Sequence, residues 1–231
     1  MIKSNLTEKN NGLVLPIVEE FYSLQGEGYN TGIAAYFIRL AGCDVRCSWC
    51  DSKESWKIAN HPMVHIEDIL KNILDQEANT VVITGGEPTI HNLEPLTTLL
   101  RSYKIKVLME TSGTHPISGT IDWIAVSPKK HKKPLNEVLA VANELKVIIE
   151  TKDDFKWAEE NAAKAIANRK KLLIHQTTKN TNTSTKLNFP ILFLQPEWNN
   201  RDFILPIMID YVKRHPQWRI SLQTHKFMNI L

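Results

Sequence analysis

The three cysteines of this chain fall within eight residues, as Cys43-x3-Cys47-x2-Cys50. Three thiolates can hold a four-iron, four-sulfur cluster and leave one iron without a protein ligand, open to a small molecule. A structural zinc site is the first alternative. Such sites are closed by four ligands, commonly two paired knuckles, and only one knuckle is present; His61 and His65 do not stand at a finger spacing from it. A disulfide scaffold is disfavoured by the odd cysteine count and by a length that builds a core without staples.

A second chemical segment is Thr84-Gly85-Gly86-Glu87-Pro88, directly after the apolar run Val81-Val82-Ile83. Two glycines allow positive φ and close backbone approach to a ligand. Glu87 and Pro88 read equally well as turn residues. Gln25 and Glu27, in the Gly-punctuated stretch Phe21 to Gly28, would ordinarily be solvated, and Arg39 on a strand could be a surface ion pair. Lys129 opens a basic run that continues through Lys130, His131, Lys132 and Lys133; the run lacks interleaved aromatics.

These residues need a frame. Short apolar runs alternate with helical patterns, which predicts βα units around a parallel sheet, as a βα barrel or an incomplete one with polar segments gathered at the strand C-termini. The expected strands are Ala34 to Leu40, Val81 to Thr84, Lys106 to Glu110, Trp123 to Val126, Leu145 to Ile149, Leu172 to His175, Ile191 to Gln195 and Trp218 to Gln223. A helix is expected from about Val64 to Glu77, with Ile66, Ile69, Leu70, Ile73 and Leu74 on one buried face. Further helices are expected over Leu93 to Ser102, Phe155 to Ala167 and Asp202 to Arg214, the last interrupted by Pro206. Thr177 to Thr185 reads as a flexible surface loop and residues 1–15 as a flexible extension of a single domain.

Composition bounds the function. The chain has 231 residues, 42% of them hydrophobic, and 28 basic against 25 acidic side chains give a net charge of +3. Nothing in that balance calls for a nucleic acid or membrane partner. No run approaches a spanning helix, and the first residues lack the apolar core of a signal peptide, so a cytoplasmic location is expected, where thiols stay reduced.

The stretch Phe37 to Ser52, with Trp49 before the last cysteine, resembles the cluster loop of the radical S-adenosylmethionine (SAM) superfamily. Within it, Ser23-Leu24-Gln25-Gly26-Glu27-Gly28, Phe37 to Gly42, Cys50-Asp51-Ser52, Ser127-Pro128-Lys129, Gln195-Pro196 and Gln223-Thr224-His225-Lys226 resemble, in order, the motifs of the 7-carboxy-7-deazaguanine synthases. The resemblance implies an open, partial βα barrel. It also implies a [4Fe-4S] cluster on Cys43, Cys47 and Cys50, SAM as cofactor, and conversion of 6-carboxy-5,6,7,8-tetrahydropterin into 7-carboxy-7-deazaguanine with loss of ammonia, in queuosine biosynthesis. SAM is then held by Gly86, Ser127, Pro128, Lys129, Gln195, Pro196, Glu197 and Trp198. The pterin is held by Leu24, Gln25, Gly26, Glu27, Arg39, Thr84, His225 and the terminal carboxylate of Leu231. Where the family usually has Thr as a magnesium ligand this chain has Ser52, whose hydroxyl keeps the oxygen. An external electron donor and a homodimer are further implications. A glycyl-radical activase and a non-catalytic iron–sulfur or zinc regulatory protein are the rivals; the first has no use for the Ser-Leu-Gln-Gly-Glu-Gly element, and in the second the glycine and Gln-Pro segments would be coincidences.

Overall fold

The computed structural model describes residues 11–179 and 189–231, which share one nine-stranded sheet. The strands are β1 Val14–Leu24, β2 Ala34–Leu40, β3 Met63–His65, β4 Thr80–Gly85, β5 Lys106–Thr111, β6 Trp123–Val126, β7 Glu144–Ile149, β8 Ile191–Pro196 and β9 Trp218–Ile220. They lie in the order β3-β1-β2-β4-β5-β6-β7-β8-β9. From β2 to β9 every neighbouring pair is parallel, and β1 and β3 extend the β2 edge antiparallel. β3 and β9 remain as the two edges, so the barrel is open.

Strand alternation sorts the side chains. Ile38, Ile83, Val107 and Met109 face outward onto α1 (Ile66–Asp75) and α2 (Glu94–Ser102) in one core cluster. Leu145, Val147, Ile149, Leu192 and Leu194 face α3 (Asn136–Val141), α4 (Asp154–Lys179) and α5 (Arg201–Arg214) in a second. The opposite positions point into the barrel. There Ala35, Phe37, Val82 and Leu108 form a small apolar cluster, while Arg39, Thr84, Glu110, Lys146 and Gln195 line a cavity.

Several expectations are corrected. Leu172 to His175 is not a strand but part of α4, which runs well past Ala167. A run of three apolar residues has no period of its own, and Ile174 is 65% exposed, so no sheet buries it. α5 continues through Pro206 without a break; Pro206 and Asp202 both stand on the exposed side, where water can satisfy the carbonyl the proline leaves free. Leu74 is 44% exposed, off the buried face of α1. β9 stops at Ile220, short of Gln223. The strand β1 went unread because Pro16 and the consecutive Glu19 and Glu20 spoil its alternation, which the strand accommodates by a bulge between Ile17 and Glu19. β3 and the short helices α3 and α6 (Thr224–Met228) also had no clear signal. Of residues 1–15, Val14 and Leu15 already pair with β3. Of the Thr177 to Thr185 stretch, residues to 179 end α4 and the remainder lies outside the described residues. Among the described residues no helix is long and apolar enough to cross a membrane.

Candidate active site

A cavity of about 580 Å3 opens inside the barrel. Its upper wall is the loop after β2, and its floor is the turn between β1 and β2. Of the twenty residues singled out from the sequence, all but the buried Pro128 line it.

The loop that carries the cysteines is fixed from behind by backbone. Gly42 N donates to Ser55 O at 2.6 Å and Cys43 N to Trp56 O at 3.3 Å, from the 3-10 turn Lys53–Trp56. From β4, Gly86 N donates to Leu40 O at 2.9 Å and Glu87 N to Gly42 O at 2.8 Å. Gly85 has φ +130°, and a Cβ on Gly86 would stand 2.3 Å from Gly42 O and 2.9 Å from the Cys43 Cβ, so both positions require glycine. The close approach expected of this pair is to the cysteine loop itself.

Glu87 does not reach for a ligand. It is 1% exposed, and its carboxylate accepts from Thr89 N (3.1 Å), Thr89 Oγ1 (2.6 Å), Thr111 Oγ1 (2.5 Å), Ser112 N (2.8 Å) and the Ser112 hydroxyl. It ties the end of β4 to the end of β5.

Cys43, Cys47 and Cys50 are free thiols on one cavity wall. Burial pushes the Cys47 thiol up, the Lys129 ammonium pulls it down, and the thiolates of Cys50 and Cys43 push it up again. Among the described residues no three His, Cys, Asp or Glu side chains are drawn together to close around a single ion. His61 is engaged with Glu54 O at 2.8 Å and His65 lies near Glu67, so neither completes a zinc site. Three free thiols on one glycine-tight loop, all lining the same cavity, are the donor set that the three protein-held corners of an iron–sulfur cube require.

On the β6 side, Lys129 leaves the surface run and turns inward. Its Nζ donates to Ser127 Oγ at 2.6 Å and stands 4.9 Å from the Trp49 ring centroid. Burial lowers its pKa. Lys130 and Lys132 are tied instead to Asp154 and Asp44. On the β8 side, Gln195 is 3% exposed and accepts from Ser221 Oγ at 2.7 Å. The Glu197 carboxylate accepts from Asn199 N and Asn200 N just before α5, and its own N–H donates to Ile149 O at 2.9 Å, so the residue is held on both sides. Trp198 presents its ring between Arg201 (4.2 Å) and Lys226 (4.8 Å).

The floor is the turn after Leu24. Gln25 Nε2 donates to Glu110 Oε1 at 3.2 Å, and Glu27 accepts from Gln223 Nε2 at 2.9 Å and from Lys146. Gly26 packs on His225, and Thr224 N donates to Gly26 O at 2.9 Å. Gly28 has φ +65° beside the Glu144 carboxylate, which accepts from Tyr29 N (3.0 Å) and Trp123 Nε1 (3.1 Å). The turn is thereby clamped to the starts of β6 and β7. On the β2 side, Arg39 Nε donates to Glu19 Oε1 at 2.6 Å and its Nη1 to Ser52 Oγ at 3.1 Å, with Thr84 its register neighbour on β4. At the chain's end Leu231 O accepts from Ser23 Oγ at 2.8 Å.

The electrostatics of the floor are unequal. Burial works to raise Glu27, but Lys146 and Gln223 outweigh it and hold its carboxyl at about 2. Burial pushes Glu110 up to about 7, against the pull of Lys146. Lys146 itself, though desolvated, is held above the ordinary lysine range by Glu110 and Glu27. Burial lowers His225. Glu110, Glu144 and Lys146 were missed in the sequence. Their signal is a charged residue at an inward position of an otherwise apolar strand, in Lys106–Thr111 and Glu144–Ile149.

An open parallel barrel with three cysteines on the loop after its first parallel strand defines a class, and sequence comparison agrees with it. The profile of the Radical SAM superfamily matches residues 37–175, and the chain belongs to that superfamily. Within it, the chain belongs to the 7-carboxy-7-deazaguanine synthases. It is 47% identical to the 7-carboxy-7-deazaguanine synthase of Flavobacterium psychrophilum, over 95% of this chain and 94% of that one. It is 44% identical to that of Prochlorococcus marinus, over 94% and 98%. The crystal structure of QueE from Escherichia coli superposes with a TM-score of 0.71 at 32% identity, covering 96% of this chain and 99% of that one.

Proposed function

We propose that this protein converts 6-carboxy-5,6,7,8-tetrahydropterin into 7-carboxy-7-deazaguanine, with loss of ammonia, for queuosine biosynthesis. The observation that carries the reading is that the cysteine loop and the Leu24 to Glu27 turn face one another across a single cavity.

Cys43, Cys47 and Cys50 hold the [4Fe-4S] cluster. When bound, the reduced cluster and SAM supply one-electron hydrogen abstraction. The chain's own residues bind and orient. Gly86, Ser127, Lys129, Gln195, Pro196, Glu197 and Trp198 surround SAM: backbone acceptors near Gly86 suit its ammonium, Lys129 and Ser127 its carboxylate or ribose hydroxyls, and the Trp198 ring its adenine. Pro128, buried behind the cavity wall, contributes by shaping the Ser127 to Lys129 segment. Leu24, Gln25, Gly26, Glu27, Arg39, Thr84, His225 and Leu231 hold the pterin, with Arg39 offering a fixed fork to its carboxylate. Ser52 Oγ, already oriented by Arg39, is the protein ligand for Mg2+, which keeps waters in its remaining positions. The walls exclude water and stray hydrogen donors and keep the two reactants in register. An external one-electron donor, a homodimer and a cytoplasmic location complete the proposal.

Anaerobic turnover of cluster-reconstituted protein with reductant, SAM, Mg2+ and the tetrahydropterin, read by mass spectrometry, tests it. Formation of 7-carboxy-7-deazaguanine, lost in Cys47→Ala, supports the reading; SAM cleavage without that product sinks the substrate assignment.

A further inference from the structure

One charged side chain in the cavity wall has no part in the roles above. Lys146 stands on the inward face of β7, its side chain 4% exposed, and its ammonium meets Glu110 Oε2 at 2.9 Å and Glu27 Oε2 more closely. A buried ion pair is weak support for a fold, since apolar groups of the same volume serve as well. The partners of Lys146 are not core groups in any case. Both carboxylates line the cavity, with side chains 19% and 21% exposed. Each is also held by an amide, Glu27 by Gln223 Nε2 (2.9 Å) and Glu110 by Gln25 Nε2 (3.2 Å).

The arrangement is a cation behind two carboxylates. Without the cation the two acids would repel one another, and one would protonate or swing away. With it, their remaining lone pairs form a fixed row of acceptors. Such a row complements a ligand edge with adjacent N–H donors, and the 2-amino group beside N3–H of a pterin is that edge. A 2-oxo group in the same place would set an acceptor against an acceptor.

We infer that Lys146 is a positioning residue: it sets Glu27 and Glu110 side by side as the acceptor pair for the amino-bearing edge of the pyrimidinone ring, and the trio selects a 2-amino heterocycle over its 2-oxo counterpart. The inference rests on the pterin reading of the cavity. Arg39 and Ser52, at the cysteine-loop end, take the opposite end of the same ligand.

The test uses cluster-reconstituted, SAM-loaded protein titrated anaerobically with two fluorescent probes, 6-carboxypterin and 6-carboxylumazine, which differ in the amino or oxo group at C2 and in the N1 hydrogen that goes with the oxo form. Wild type is expected to favour the pterin by about tenfold or more. Lys146→Met is expected to weaken pterin binding by about thirtyfold and to erase the preference, while the SAM affinity stays within about twofold, which a collapsed pocket would not allow. At pH 8, where Glu110 is ionised as well as Glu27, the trio carries −1 in wild type, −2 in Lys146→Met and −1 again in Lys146→Met with Glu110→Gln, so the double variant is expected to recover part of the pterin affinity. A folded Lys146→Met that keeps the wild-type preference overturns the inference. Should that variant not fold by circular dichroism, Glu110→Gln alone carries the test: loss of preference supports the inference and an unchanged preference overturns it. Wild type that binds neither probe overturns the pterin reading and the inference with it.

Discussion

Arg39 is held at two points, its Nε by Glu19 Oε1 at 2.6 Å and its Nη1 by Ser52 Oγ at 3.1 Å, so the guanidinium that faces the cavity is fixed in its plane and shares a hydroxyl with the proposed magnesium position. A flexible ammonium cannot reproduce a two-point fork. Arg39→Lys is therefore expected to raise the KM for the tetrahydropterin by about tenfold to a hundredfold while leaving SAM binding unchanged. Steady-state kinetics with each ligand varied in turn check it; an unaltered pterin KM would place the ligand carboxylate elsewhere.

Glu87 tests how the cavity roof is built. Its buried carboxylate satisfies donors from Thr89, Thr111 and Ser112. Glu87→Ala leaves the buried amides of Thr89 and Ser112 without their acceptor and is expected to cost about 3 kcal/mol or more of stability. Urea denaturation reads this directly, and a loss under about 1 kcal/mol would mean that water replaces the carboxylate.

The floor turn makes a paired prediction. Gly28 at φ +65° has the Glu144 carboxylate 2.1 Å from where a Cβ would stand, whereas Gly32 at φ +90° has open space around it. Gly32→Ala carries only the backbone penalty, about 1 kcal/mol. Gly28→Ala adds displacement of Glu144 from Tyr29 and Trp123 and is expected to cost at least about twice that. Equal melting temperatures for the two variants would remove the clamp from the account.

The raised pKa of Glu110 has a signed consequence. Between its ordinary value of 4.5 and the folded value of about 7, the native state holds a proton that the unfolded chain releases. Stability from this group therefore falls as pH rises through that window. Glu27 acts in the opposite sense at lower pH: with its carboxyl held at about 2, its contribution is present above 4.5 and is lost as pH falls toward 2. Glu110→Gln is expected to gain stability relative to wild type on going from pH 5 to pH 7.5, measured by denaturation at both. A difference that does not change with pH would contradict the assignment.

The parallel strands were legible because each is a short apolar run bounded by turn residues, and the cysteine loop because its chemistry lies in local spacing. Both signals are local. Lys146 and Glu110 were not legible as a pair: 36 residues separate them, and only the register of β5 through β7 brings their inward positions to one wall. Glu87 looked like a turn residue because its partners come from the end of β5. β1 was lost for a related reason, since its Pro16 and paired glutamates make sense only with β2 and β3 on either side. Arg39 shows the middle case: its type and place on a strand were evident, but whether it met solvent or a cavity depended on which face the barrel encloses.

The central claim is that the cysteine loop and the Leu24 to Glu27 turn present their ligands to each other inside one cavity. Its most direct test is turnover with tetrahydropterin carrying deuterium on the carbons of its reduced ring, followed by mass spectrometry of SAM and 5′-deoxyadenosine. Direct hydrogen transfer between neighbours puts deuterium into that nucleoside or into recovered SAM. SAM consumed with only solvent-derived or unlabelled hydrogen in its products would contradict the claim.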